Sequence, residues 1–104
     1  HDQSSAASDV YKRQNGSHFF DDQNNFSITA FPVDKVVDTT GAGDAFIGGI
    51  LMGKMNGKNI FESMKVGAVT ASFCIEGIGI EGLLKINDQE FTRRLEWMNI
   101  NHTS

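Results

Sequence analysis

Asp38-Thr39-Thr40-Gly41-Ala42-Gly43-Asp44-Ala45-Phe46 is the stretch on which the reading of this chain turns. It sets two carboxylates six positions apart, with small residues between them and an apolar run behind. Gly41 and Gly43 open backbone conformations closed to other residues and add no side chain that would block a ligand. Such a turn at the start of a helix aims several free backbone N–H groups at one point, which makes an anion site. Asp44, at that helix start, then faces the anion. A carboxylate repels phosphate, so it is a poor holding device and a suitable base. Gly41 to Asp44 alone would read as a tight turn with an N-cap aspartate. Asp38, the two threonines and Ala45-Phe46 in register weigh against that reading.

These nine residues resemble the C-terminal signature of the ribokinase-like, PfkB-type sugar and nucleoside kinases. The resemblance implies an α/β fold, the chain forming the C-terminal part of a three-layer α/β/α sandwich. It implies an ATP-dependent phosphotransferase that moves the γ-phosphoryl group to a hydroxyl of a sugar. The alternatives are a nucleoside (adenosine-like) kinase of the same superfamily and an inert nucleotide-binding remnant. Position by position, Asp44 becomes the general base, and Gly41, Ala42 and Gly43 form the phosphate-binding turn. The amides of Ala42, Gly43 and Asp44 line its anion hole. For Asp38 the resemblance implies a role in holding a monovalent cation, K⁺, together with carbonyls between Glu76 and Gly79. The other reading is that Asp38 caps the turn through an Asx hydrogen bond.

Gly67 to Gly79 also resembles the family's adenine-side helix and loop, which implies nucleotide contacts at Ala68, Ala71 and Gly79. Simple helix packing explains the small residues equally well. Many ribokinases would carry an asparagine near Ala68, and the Ala71-Ser72-Phe73-x-x-Glu76 run is more similar to nucleoside-kinase-like members. The implied cofactors are ATP and Mg²⁺, with K⁺ through Asp38. The implied partner is a small sugar or nucleoside, with a homodimer in the full-length protein.

Residues 4–14 resemble a translated sequencing adapter, so 1–14 are set aside as a non-native tail. Residues 15–104 are then the C-terminal portion of a PfkB-type kinase domain. The acceptor-binding region, the N-terminal glycine motif and the Asn/Glu motif that organises magnesium are missing, so the chain by itself is expected to be inactive. The net charge of −4 argues against a nucleic-acid or acidic-membrane footprint. Cys74, the sole cysteine, allows no intrachain disulfide; between Phe73 and Ile75 it reads as a buried thiol in a reducing, cytoplasmic compartment. No apolar run approaches the ~20 residues of a membrane span. The sequons at Asn15, Asn25 and Asn101 are read as chance.

Two β-prone runs, Ser17 to Phe20 and Phe26 to Phe31, flank an Asp/Asn/Gln cluster and predict a hairpin closed before Pro32. A largely buried helix is predicted from Asp44 to about Met55, stopped by Asn56-Gly57. The next runs from Asn59, as N-cap, to Glu76, and Gly77 to Gly82 is a loop. Asn87-Asp88-Gln89-Glu90 has capping-box spacing and opens a last helix with Phe91, Leu95 and Met98 inward. Gly48 to Lys54 mimics a P-loop, but Met55 lacks the hydroxyl that magnesium requires and the segment sits inside a helix. Gly77 to Gly82 matches GxGxxG without the strand that should precede it.

Overall fold

The computed structural model describes residues 8–13, 16–22 and 25–102. The expected hairpin is present: β2 (Gly16–Asp21) pairs antiparallel with β3 (Asn25–Thr29), setting Phe19 opposite Phe26 and Ser17 opposite Ile28. Strand side chains alternate between faces, so these four point to one side, where Ser17, Phe19 and Ile28 are buried. Phe19 and Phe26 stack at 5.2 Å, and Phe26 meets Phe61 edge-on at 4.9 Å. The turn residues Gln23 and Asn24, the sequon at Asn15 and tail residues 1–7 and 14 lie outside the described residues. Within the stretch set aside as a tail, β1 (Ser8–Arg13) runs antiparallel along the other edge of β2. Ladder pairing is a backbone interaction open to most sequences at a free edge.

Helix α1 (Ala42–Met55) begins two residues before the expected start. The cause is Gly41, whose left-handed φ of 84° makes it the N-cap, with its carbonyl accepting the Ala45 amide at 2.9 Å. Asn56-Gly57 ends the helix as expected, Gly57 taking a φ of 82°. Helix α2 (Ile60–Cys74) starts where Asn59 accepts the Glu62 amide at 2.8 Å. It is the hub of the fold, touching α1, β3, the short α3 (Glu81–Leu84) and α4 (Asp88–Asn101). The core around it joins Phe19, Ile28, Phe31, Phe46, Met64, Val69, Phe73 and Met98.

The α1–α2 crossing depends on small residues. A Cβ at Gly49 would stand 2.6 Å from the Gly67 Cα, and one at Gly53 would stand 2.9 Å from the Ser63 Cα. A Cβ at Gly67 would stand 2.6 Å from the Phe46 carbonyl oxygen. Among the described residues α1 packs chiefly against α2, and its other face is open, which corrects the expectation of a largely buried helix. Ala45, Phe46 and Ile50 are buried against α2, but Ile47, Leu51 and Met55 are 42%, 59% and 86% exposed. The helix is apolar on two faces, and one of them is uncovered.

Helix α3 was not foreseen. It begins at the end of the stretch read as a loop, where Gly82 lies so close to the Phe73 carbonyl that no Cβ fits between them. At α4 the Asn87 side chain accepts the Glu90 amide at 2.9 Å, as the capping signal predicts. The reciprocal half of the box is not used. The Glu90 carboxylate turns instead to Arg93 and Arg94, which hold its pKa down to about 2. Met98 is fully buried and Phe91 and Leu95 partly so, as expected, but buried Arg94 among them was not foreseen.

The crossing generates a paired test. Gly→Ala inside a helix ordinarily stabilises by up to about 1 kcal/mol. Gly48→Ala, whose Cβ would meet nothing within 4 Å, should show that gain. Gly67→Ala should reverse the sign and destabilise by about 1–3 kcal/mol, because the methyl group overpacks against backbone. Urea denaturation of both variants checks this; equal effects would contradict the crossing.

Candidate functional site

The extended segment after β3 reaches the glycine turn by leaning on the end of α2. The Ile75 carbonyl accepts the amides of both Val37 and Asp38, at 2.7 and 3.2 Å. Asp38 Oδ1 then accepts the Thr40 amide at 2.9 Å, so the Asx bond weighed for this residue is formed. The Thr40 amide and hydroxyl, with a further contribution from the Gly79 amide, hold the Asp38 carboxyl below the usual carboxylate range. The next link is the Ala42 amide, which donates to the Thr39 carbonyl at 3.1 Å.

That link narrows the anion hole expected from the sequence. Ala42 spends its N–H on closing the turn. Gly43 and Asp44, in the first turn of α1, have amides with no acceptor among the described residues. First-turn amides lack intrahelical partners and sit at the positive end of the helix dipole. The Asp44 side chain is exposed beside them. Beneath the turn, the buried Cys74 thiol donates weakly to the Thr40 carbonyl at 3.7 Å. Burial, then the charges of Asp38 and Asp44, push its pKa up, so the thiol stays protonated and keeps its donor role.

A cleft of about 340 Å³ opens between the hairpin, the start of α1 and one stripe of α2. Ala42 and Gly43 line it together with Ala68 and Ala71, so the two groups of sequence-predicted site residues share one cavity. Ser72, Ile75, Ile28 and Phe31 complete its mostly apolar wall. Gly41, Asp38, Asp44 and Gly79 are not in the lining; Gly79, with a left-handed φ of 59°, lies beside Asp38. The residues missed from sequence are Ile75, through its carbonyl, and Cys74. Both lie on α2 or its C-cap far along the chain from the turn, and the one available signal was the helical stripe Ala68, Ala71, Ile75.

Small side chains, free amides and an apolar cleft suit a flat ring with an anionic tail. Among the described residues no three His, Cys, Asp or Glu side chains converge as a metal site. The Asp38 carboxylate faces N–H donors in this arrangement.

Known proteins are similar to this chain in sequence and in fold. An uncharacterized sugar kinase of Archaeoglobus fulgidus is 53% identical over 58 residues, which are 54% of this chain and 23% of that protein. The crystal structure of Methanocaldococcus jannaschii nucleoside kinase, an archaeal member of the ribokinase family, superposes with a TM-score of 0.70. The superposition is 30% identical and covers 80% of this chain and 27% of that one. Arabidopsis thaliana ribokinase, complexed with ribose and ATP, gives a TM-score of 0.68 at 28% identity, covering 79% of this chain and 26% of the ribokinase. The chain thus spans about a quarter of the length of these proteins. Its strands and helices are a part of the α/β ribokinase fold. Residues 10–86, which include the glycine turn, α1, α2 and the cleft, match the pfkB family carbohydrate kinase domain, and the chain belongs to that family.

Proposed function

We propose that this chain is the C-terminal part of a longer, cytoplasmic, ATP-dependent kinase that phosphorylates a hydroxyl group of a sugar. The observation that carries the reading is the pair of unengaged amides at Gly43 and Asp44, set beside the exposed Asp44 carboxylate. ATP, when bound, supplies the phosphoryl group, with the cleft beside Ala68 and Ala71 taking the nucleotide. The Asp44 carboxylate takes the proton of the acceptor hydroxyl as its oxygen bonds to the γ-phosphorus and the bond to the β-phosphate oxygen breaks. The Gly43 and Asp44 amides meet the negative charge on the transferring group. A preorganised donor of this kind is worth ~3 kcal/mol, and phosphoryl transfer is governed mainly by such positioning and charge stabilisation. Mg²⁺ would accompany the nucleotide phosphates, as in other ATP-dependent phosphoryl transfers. A nucleoside acceptor is the second reading, favoured by the likeness to a nucleoside kinase over four-fifths of the chain.

Asp44→Asn in the complete enzyme should lower turnover by roughly 10²–10⁴-fold, the usual worth of a positioned base, while ATP binding persists. Turnover above about a tenth of the unmodified enzyme's would contradict the assignment. Asp38 is proposed to support a K⁺ ion near the turn. Activity should rise when K⁺ replaces a bulky organic cation, and Asp38→Ala should flatten that response. Equal activity in both salts would leave Asp38 with only its Asx bond.

A further inference from the structure

Helix α4 lies beyond residue 86, where the family match ends, yet its Arg94 reaches the walls of the site. The side chain is buried, and its guanidinium carbon lies over two aromatic rings, Phe73 at 4.0 Å and Phe31 at 5.1 Å from the ring centres. Its nitrogens make three separate bonds. Nε donates to Glu90 on its own helix at 2.8 Å, Nη1 to Ser72 Oγ at 2.9 Å, and Nη2 to Glu76 Oε1 at 2.9 Å. Ser72 and Phe31 line the cleft. Glu76 immediately follows Ile75, whose carbonyl holds the amides of Val37 and Asp38.

We propose that Arg94 is a positioning residue for the Asp38–Asp44 turn. It clamps the C-terminal end of α2, so that the Ile75 carbonyl stays where the turn needs it, and it fixes Phe31 and Ser72 in the cleft wall. Calling that turn a phosphate site rests on the function proposed above; the clamp itself does not. The geometry asks for arginine. A planar fork can bond Glu90, Ser72 and Glu76 at once while lying over two rings, whereas a lysine ammonium is a point charge on a flexible stem. Removing one partner of a buried, charged hydrogen-bond set leaves the other groups unpaired.

Amide hydrogen exchange on the full 104-residue chain tests the clamp. Arg94→Met should accelerate exchange of the Val37 and Asp38 amides by about tenfold or more relative to Val69 in mid-α2. Arg94→Lys should recover only part of that protection. Glu76→Gln, which keeps its size and is half-buried, should shift the same two amides in the same direction and decides the matter if Arg94→Met does not fold. Unchanged Val37 and Asp38 exchange, or a uniform acceleration that includes Val69, would overturn the proposal. In the complete enzyme Arg94→Lys should lower kcat more than it raises KM. A complete enzyme without phosphoryl transfer would count against the proposed function and leave the exchange result standing.

Discussion

The site depends on the close approach of two helix backbones. Gly67 of α2 lies under the Phe46 carbonyl of α1, at a separation no side chain could share. Everything at the site follows from that contact. It brings the first turn of α1 alongside Ala68 and Ala71 and so forms the cleft. It also sets the Thr40 carbonyl over the Cys74 thiol and the end of α2 within reach of Val37 and Asp38. Bulkier residues at the crossing would separate the helices and with them the amides and the cleft.

The electrostatics of the turn assign its two carboxylates different work. Asp38 is absorbed by structure: it accepts from Thr40, its pKa is held low, and its charge organises the backbone. Asp44 has no such partner among the described residues and stands exposed at the positive end of α1. Its side chain is therefore not committed to a cap, as the proposed role requires. The protonated thiol beneath the turn adds a weak donor without adding a charge.

Much of this was legible in the sequence because its signals are local. Asn59 and Asn87 cap the helices that follow them, Asn56-Gly57 stops α1, and the polar cluster after Phe20 closes a hairpin. The glycine turn is nine consecutive residues, so its chemistry could be read without a fold. The parts that escaped depend on distance. That Ala42 gives its amide to Thr39 follows from the turn's dihedrals, which side-chain identities do not state. Apolar residues on both faces of α1 said that both could be buried, but what covers each is a tertiary fact, and Leu51 and Met55 remain open. Arg94 carries no local signal in the sequence; only the fold assembles Phe31, Phe73, Ser72 and Glu76 around it. β1 lies in residues that the sequence reading set aside, and it pairs antiparallel with β2.

The proposed phosphate site rests on two amides, those of Gly43 and Asp44. Titration of the isotope-labelled chain with ATP, followed by amide NMR, interrogates them directly. Saturable shifts are expected at Gly43 and Asp44, with Ala68 and Ala71 responding along the cleft and Ala42 moving less because its N–H is already engaged. Shifts absent from Gly43 and Asp44, or spread evenly over the chain, would contradict a phosphate site at the start of α1.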